Sequence, residues 1–313
     1  MRPALGFVAR AEQPPEELPA LAARVEAAGF DELWLWEDCF FAGGVAAAAA
    51  ALGATARIAV GLGIMPAPAR NAAFAAMELG ALARLHPGRL RAGFGHGVGR
   101  WMHQVGARPR SQLALLEEIV DAVRGLLAGK EVRADGRYVR LDAVRLDHPP
   151  VAPPPIYTGV RGPRSLAVSG RVADGTILSE LSSPAYVRWA RERIAAARPH
   201  RVTVYAWCSI AADAGAARAQ VRPLVAERLL QGGPQVDALG IADEAAAIGP
   251  ARLAGELPED WLDVTTVSGT PEHAARAIRA LADAGADAVV LVPPAPGADP
   301  AQLTGALLPL LRD

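Results

Sequence analysis

The chain has 313 residues, 51% of them hydrophobic, which is enough for a sizeable buried core. Its 32 basic and 33 acidic residues leave a formal net charge of −1, which excludes global electrostatic attraction to nucleic acid or to an anionic membrane. Two cysteines, Cys39 and Cys208, cannot build a disulfide framework, and the opening MRPALGFVAR lacks the apolar stretch of a secretion signal, so the expected compartment is the cytoplasm.

In chain order, ALGFVA (4–9) reads as a first strand and ELWLW (32–36) as a second. The alanine run from Val45 to Ala54 is too short and too weakly apolar to span a bilayer and reads as a packed helix. RIAVGLG (57–63) is a third strand, followed by a helix with the stripe Phe74, Met77, Ala81, Leu82 and Leu85. RLRAGFG (89–95) is a fourth, and Leu113, Leu116, Val120, Val123 and Leu127 mark the next helix. PIYTG (155–159), GTILS (175–179), VTVYAWCS (202–209) and DAVVLV (287–292) complete eight strands. A helix begins at Thr270-Pro271-Glu272, with an N-cap, a first-turn proline and an early carboxylate, and ends at Ala284-Gly285.

Strands alternating with helices predict a parallel sheet covered by crossover helices. No G-x-G-x-x-G follows the first strand, where ARAEQPPE stands instead, so a (β/α)8 TIM barrel fits better than an open doubly wound sheet. Segments 128–154 and 230–265 exceed ordinary connections and read as insertions over the C-terminal mouth of one domain spanning 1–313.

In such a barrel, chemistry sits just past the strand ends. After strand 2 come Glu37, Asp38, Cys39, Phe40 and Phe41; after strand 4, Gly95, His96 and the run to Trp101; after strand 6, Ser179 and Glu180. After strand 5, Gly159-Val160-Arg161-Gly162-Pro163-Arg164-Ser165 suits an anion, because glycines admit close approach and first-turn amides point outward. The same residues also suit a plain helix start, and spacing alone leaves the two readings level. His96 and His103 lack a third ligand at metal-binding spacing, and no G-x-S-x-G elbow is present. Trp34 and Trp36 share a face of strand 2; Trp34 is expected in the core and Trp36 near a ligand. Phe40, Phe41 and Trp101 are candidate walls of a substrate pocket, with rim packing an equal alternative.

Taken together, AAGFDELWLWEDC (27–39), the segment 57–97, GPRSLAVSGRVADG (162–175) and SGTPEHAARAIRALADAGAD (268–287) resemble the bacterial luciferase-like flavin and deazaflavin F420-dependent oxidoreductases. The similarity is greatest to the F420-using members, among them methylenetetrahydromethanopterin reductases, secondary alcohol dehydrogenases and the sugar 6-phosphate dehydrogenase. The resemblance implies that Asp38 contacts the deazaflavin, that Cys39 replaces a histidine several members carry, and that Gly63-Ile64 is a non-proline cis peptide behind the ring. It also implies phosphate-holding amides at Gly159 and from Arg161 through Gly162 to Pro163, with Gly95 and His96 at the ring edge and tail. Arg57, Arg70, Arg100, Arg161 and Arg164 are candidates to line a groove for the polyglutamate tail.

One departure matters. Where sugar phosphate dehydrogenases place a glutamate proton donor, this chain has Val98, which leaves Glu37, Cys39 and His96 as candidate proton donors. Cys39 reads more readily as a small apolar filler, and Glu37 as a partner for a rim arginine. The reading is hydride transfer between F420 and a small, apolar or conjugated organic substrate. A reduced-FMN-dependent monooxygenase and a non-catalytic cofactor-binding protein are the alternatives. The resemblance further implies a homodimer, with Val45–Ala54 and Asn71–Leu85 suited to its interface.

Overall fold

The computed structural model describes residues 2–311. The chain alternates β1 (Ala4–Ala9), α1 (Leu18–Ala27), β2 (Glu32–Leu35), α2 (Gly44–Gly53), β3 (Ala59–Pro66), α3 (Ala72–Leu85) and β4 (Leu90–Gly95). After α4 (Gly99–Gln104) and α5 (Gln112–Leu127) comes a small antiparallel hairpin, β5 (Val132–Asp135) and β6 (Arg140–Val144), within the first insertion. Alternation resumes with β7 (Ile156–Gly159), α6 (Pro163–Val172), β8 (Gly175–Leu178), α7 (Pro184–Ile194) and β9 (Arg201–Ile210). After α8 (Ala214–Leu230), the segment expected as the second insertion, 230–265, is helical: α9 (Pro234–Leu239), α10 (Ala242–Ile248), α11 (Pro250–Glu256) and α12 (Glu259–Thr265). A short strand β10 (Val267–Gly269), α13 (Pro271–Asp283), β11 (Ala288–Val292) and α14 (Pro300–Leu307) complete the chain.

The strands β1, β2, β3, β4, β7, β8, β9 and β11 pair in parallel in that ring order, and the β8–β9 and β11–β1 pairings close it into a (β/α)8 barrel. The eight expected strands are these eight, with shifted ends. Strand 2 stops at Leu35, and strand 3 begins at Ala59 and runs on to Pro66. β10 was not anticipated; it pairs with the far end of β9, beyond the point where β9 leaves β11. At three residues it is too short to show a period of its own.

Register is pinned at the N-terminal end of the barrel by a recurring device. Asp31, Asp174 and Asp287 each precede a strand and accept a hydrogen bond from the amide of the strand beside it, at Leu5 (2.7 Å), Ile156 (2.8 Å) and Val202 (2.7 Å). Deeper in, buried Glu32 accepts from Trp34 Nε1 at 2.9 Å and pairs with Arg201 at 2.8 Å. Side chains that fix the fold thus gather at one end, and the other end is left to the loops.

The barrel interior is filled unevenly. Trp34, Tyr157 and Tyr205 meet edge to face at its centre, with centroids 5.7 and 5.9 Å from the tryptophan. Gly61 and Gly63 stand where a Cβ would collide with Trp34 or Tyr205, so the large rings of one wall require bare backbone on the other.

The periodic stripe on α3 faces the other way from the expectation. Ala72, Ala75, Ala76, Leu79, Gly80, Leu82 and Ala83 are buried against the barrel, whereas Phe74, Met77 and Leu85 are exposed. Mostly small side chains, with Leu79 and Leu82, let this helix lie close to the strands; Leu82 is the one residue of the expected stripe that faces the barrel, while Phe74, Met77 and Leu85 point outward. Asn71 caps it by accepting from the amides of Ala73 and Phe74. No helix among the described residues is long and apolar enough to cross a membrane.

Candidate active site

The mouth loops follow β1, β2, β3, β4, β7 and β8, and the helices α8–α12 add an apolar rim. Trp207 at the end of β9 packs in one cluster with Val221, Val225, Leu253 and Trp261 of that helical segment. Trp36 and Ile64 are half-buried against the same cluster. The insertion therefore covers the mouth next to the two residues that project into it.

Ile64 is set by backbone geometry. The Gly63–Ile64 peptide is cis, as the resemblance implies, and Cys39–Phe40 is a second cis bond that nothing in the sequence signals. The Ile64 side chain lies over β4 and β7: a Cβ on Gly95 would sit 2.8 Å from Ile64 Cγ1, and one on Gly159 would sit 2.5 Å from Cγ2. Tyr205 supports this ledge from below by donating to the Gly63 carbonyl at 3.4 Å. The result is an apolar shelf backed by bare backbone, a surface suited to a flat ring.

The acidic residues of the β2 loop have separate fates. Glu37 turns away from the mouth and pairs with Arg70, and a Cβ on Gly44 would sit 2.9 Å from its carboxyl. Burial pushes the Glu37 carboxyl above its ordinary value, with Arg70 pulling in the opposite direction. Arg70 is thereby engaged, and Arg57, which precedes β3 with its amide bound to Glu26, lies at the far end of the barrel. Arg57 cannot line a groove at the mouth, because the start of a strand is the wrong end of it. Asp38 faces the mouth, half-buried, its carboxyl raised by burial and by the charge of Glu12, with Arg10 opposing. Cys39 has its thiol raised by burial and by Glu37 and Asp38, which disfavours the thiolate.

Arg10, from the end of β1, chelates Glu12, donates to the Pro293 carbonyl at 3.1 Å and lies over the Trp36 ring at 5.7 Å. Trp36 in turn leans on Tyr205, with centroids 6.2 Å apart. This fixes a tryptophan at the mouth by contacts on two sides. Phe40 and Phe41 extend further, more than half exposed, and Trp101 sits half-buried on α4.

Across the barrel, α6 starts at Gly162 with no side-chain cap and a proline in its first turn, so its leading amides stay free. Tyr186 donates to the Arg161 carbonyl at 2.8 Å and holds the turn, while the Arg161 and Arg164 side chains are exposed. His96 reaches this turn: its Nε2 is 2.9 Å from Ser165 Oγ. Burial holds the His96 imidazole below its ordinary value, with the Gln112 backbone acting the other way, so the ring is neutral near pH 7. The free amides, Gly159, the hydroxyl of Ser165 and His96 gather donors that could hold an anion such as a phosphate. This contact sets His96 beside the start of α6.

Sequence reasoning noted Glu180 after a strand but gave it no role. It follows β8, half-buried, with its carboxyl raised first by burial and then by Asp38, against Arg161 and Arg10. Tyr205, Arg10 and Trp207 were also missed; alternation along β9, which turns Thr203, Tyr205 and Trp207 to one side, could have found two of them. Among the described residues, no group of three His, Cys, Asp or Glu side chains is gathered as for a metal ion.

A closed parallel barrel with a shelf, a candidate anion cradle and ionisable groups at its C-terminal mouth is the layout of a barrel enzyme acting on small molecules. The luciferase-like monooxygenase family matches residues 4–288, and the chain belongs to that family and is an oxidoreductase. It is 28% identical over 288 residues to 5,10-methylenetetrahydromethanopterin reductase of Methanolobus tindarius, covering 86% of this chain and 87% of that protein. Its backbone superposes with a TM-score of 0.85 on the coenzyme F420 dependent tetrahydromethanopterin reductase from Methanopyrus kandleri, at 20% identity over 99% of this chain and all of the other. An F420-dependent secondary alcohol dehydrogenase in complex with an F420-acetone adduct superposes with a TM-score of 0.80, also at 20% identity and over the full length of both chains.

Proposed function

We propose that this protein transfers a hydride between coenzyme F420 and a small, largely apolar or conjugated organic substrate. The observation that carries this reading is the pairing of a flat shelf at Ile64 with an uncapped helix start at Gly162, both bordering Gly159. A ring-plus-phosphate cofactor needs both, and the F420 dependence of relatives that share the fold supports a deazaflavin in that place.

When bound, F420 supplies hydride chemistry at C5 of its ring. The chain's own residues do the rest. Ile64, Gly63 and Gly95 would support the ring; Gly159, Arg161, Gly162 and Pro163 would hold the phosphate; and Asp38 would meet the polar edge of the deazaflavin. Trp36 would stand over the substrate, with Phe40, Phe41 and Trp101 as outer walls. The helices α8–α12 exclude water from one side, which strengthens every charge interaction within the site.

F420 and FMN titrated separately against purified protein, with absorbance spectra, test the reading. Binding of F420 in the micromolar range or tighter is expected; tight FMN binding with none of F420 would sink it. The family description favours one second reading, a monooxygenase that uses reduced FMN. Oxygen uptake with added flavin reductase separates the two. A protein that binds cofactor without turnover would keep F420 affinity yet reduce nothing. The proposed setting is the cytoplasm, as a homodimer joined through α3, whose outward face carries Phe74, Met77 and Leu85.

A further inference from the structure

We propose that Glu180 is the acid–base group of this reaction, an inference that rests on the hydride-transfer reading above. β2 and β8 stand half-way round the ring from each other, so Asp38 and Glu180 enter the mouth from opposite sides.

Apart from Asp38, assigned above to the cofactor, and the thiol of Cys39, the other candidate proton carriers are already engaged. Glu37 is tied to Arg70, Glu12 to Arg10, and Glu32 to Trp34 and Arg201 at the opposite end of the barrel. His96 spends Nε2 on Ser165 at the anion cradle. Only Glu180's own backbone amide reaches its carboxyl among the described residues, so the group is free to meet a substrate.

Its backbone is held where it stands. Leu181, fully buried, takes a left-handed φ of 69° directly after it, a conformation that a leucine keeps only when its surroundings enforce it. Ser182 Oγ donates to the Ser179 carbonyl at 2.6 Å, and Gln235 of α9 donates to Ser179 Oγ at 2.9 Å. The helical insertion thus clamps the turn that presents Glu180.

The groups facing it set which carboxyl keeps a proton. Asp38, Glu12, Arg10, Arg161 and Tyr205 surround the mouth; the ionised Asp38 raises Glu180, whereas Asp38 itself answers to Glu12 and Arg10. Burial and the charge of Asp38 both act to keep a proton on Glu180, which suits a carboxyl that is to give one up.

In the reducing direction, a carbon of a C=O, C=N or C=C bond takes the hydride with its electron pair. The π bond opens and its other atom takes the proton from Glu180, leaving a carboxylate. The proton released on oxidation of F420 returns through solvent the one that Glu180 spends. In the oxidising direction the carboxylate accepts the substrate proton as hydride leaves.

Infrared difference spectra of the full-length protein, wild type against Glu180→Gln and Asp38→Asn, test this without substrate. A protonated-carboxyl band is expected at neutral pH in wild type, lost in Glu180→Gln, and vanishing at lower pH in Asp38→Asn. With reduced F420 and the probes 2-cyclohexen-1-one, menadione and cyclohexanone, Glu180→Gln should keep F420 affinity while kcat falls about 100-fold or more. Its pH profile should also lose the fall on the alkaline side.

A Glu180→Gln protein with the wild-type infrared spectrum, kcat and pH profile overturns the proposal and leaves the F420 reading standing. A wild type that does not bind F420 overturns the functional reading instead. F420 binding without reduction of any probe counts against the acid role.

Discussion

Ile64 occupies the space that a side chain on Gly159 would need: its Cγ2 lies 2.5 Å from where that Cβ would stand. The contact joins β3 to β7 across the barrel mouth and makes the shelf dependent on a glycine two strands away. Gly159→Ala is expected to lower stability by about 1–3 kcal/mol through overpacking. Ile64→Ala removes the obstructing methyl, so the double variant should be more stable than the sum of the single losses, by about 1 kcal/mol. Urea denaturation of the four proteins measures this coupling; additive losses would mean that the two residues do not touch in solution.

The Glu37–Arg70 pair is structural on this geometry, and pH separates it from chemistry. Both side chains are largely buried, at 16% and 21% exposure, so Arg70→Ala leaves a buried carboxylate without a partner and should cost about 2 kcal/mol near pH 7. Burial already holds the Glu37 carboxyl above its ordinary 4.5, and losing Arg70 moves it higher. A carboxyl raised in the folded state favours folding below its unfolded value and loses that advantage as pH rises through its folded value. The Arg70→Ala deficit should therefore grow from about pH 4.5 upward and vanish in Glu37→Gln/Arg70→Ala. A deficit equal at pH 4 and pH 7 would place its origin elsewhere.

Asp38 faces the mouth with its carboxyl unspent, which makes Asp38→Ala a direct probe of the ring-edge contact. F420 affinity or kcat/KM is expected to fall about tenfold or more, roughly the loss of one hydrogen bond to a charged group. Fluorescence titration of F420 reports the first and steady-state reduction the second. If neither changes, the carboxyl has no part in binding or turnover.

Much of the barrel was legible because each strand carries its own apolar run and some helices carry their own start signal, as at Thr270-Pro271. What stayed hidden depends on residues distant in sequence. The α3 stripe misled because periodicity locates an apolar face without saying whether barrel or solvent receives it, and here alanine and glycine go inward. Glu180 was noticed only as a residue after a strand, since its isolation is a matter of what every other acid is paired with. Likewise Glu37 and Asp38 are neighbouring carboxylates, yet the strand turn sends one to Arg70 and the other to the mouth.

His96 carries a pH prediction of its own. Burial keeps its imidazole below the ordinary 6.5, and a phosphate beside Ser165 would draw it upward. The complex then holds more protons than the free protein, so F420 affinity should rise as pH falls from about 8 to about 6. His96→Gln should flatten that dependence while retaining most of the affinity at pH 8, where the histidine is neutral in both states. Equal slopes in wild type and variant would remove His96 from the anion cradle.

The outward face of α3 supports the last expectation. Phe74 and Leu85 are 65% and 72% exposed and Met77 is 54% exposed, along one face of a helix whose opposite face is closely packed on the barrel. Bulky apolar groups gathered on a helix surface are costly in water and commonly mark an interface. Phe74→Glu and Met77→Glu change no buried contact of the barrel, so each should fold with the wild-type melting profile while the pair together converts a dimer to a monomer. Light scattering across a concentration series reads the mass directly. A wild type that stays monomeric at high concentration would show that this face serves some purpose other than self-association.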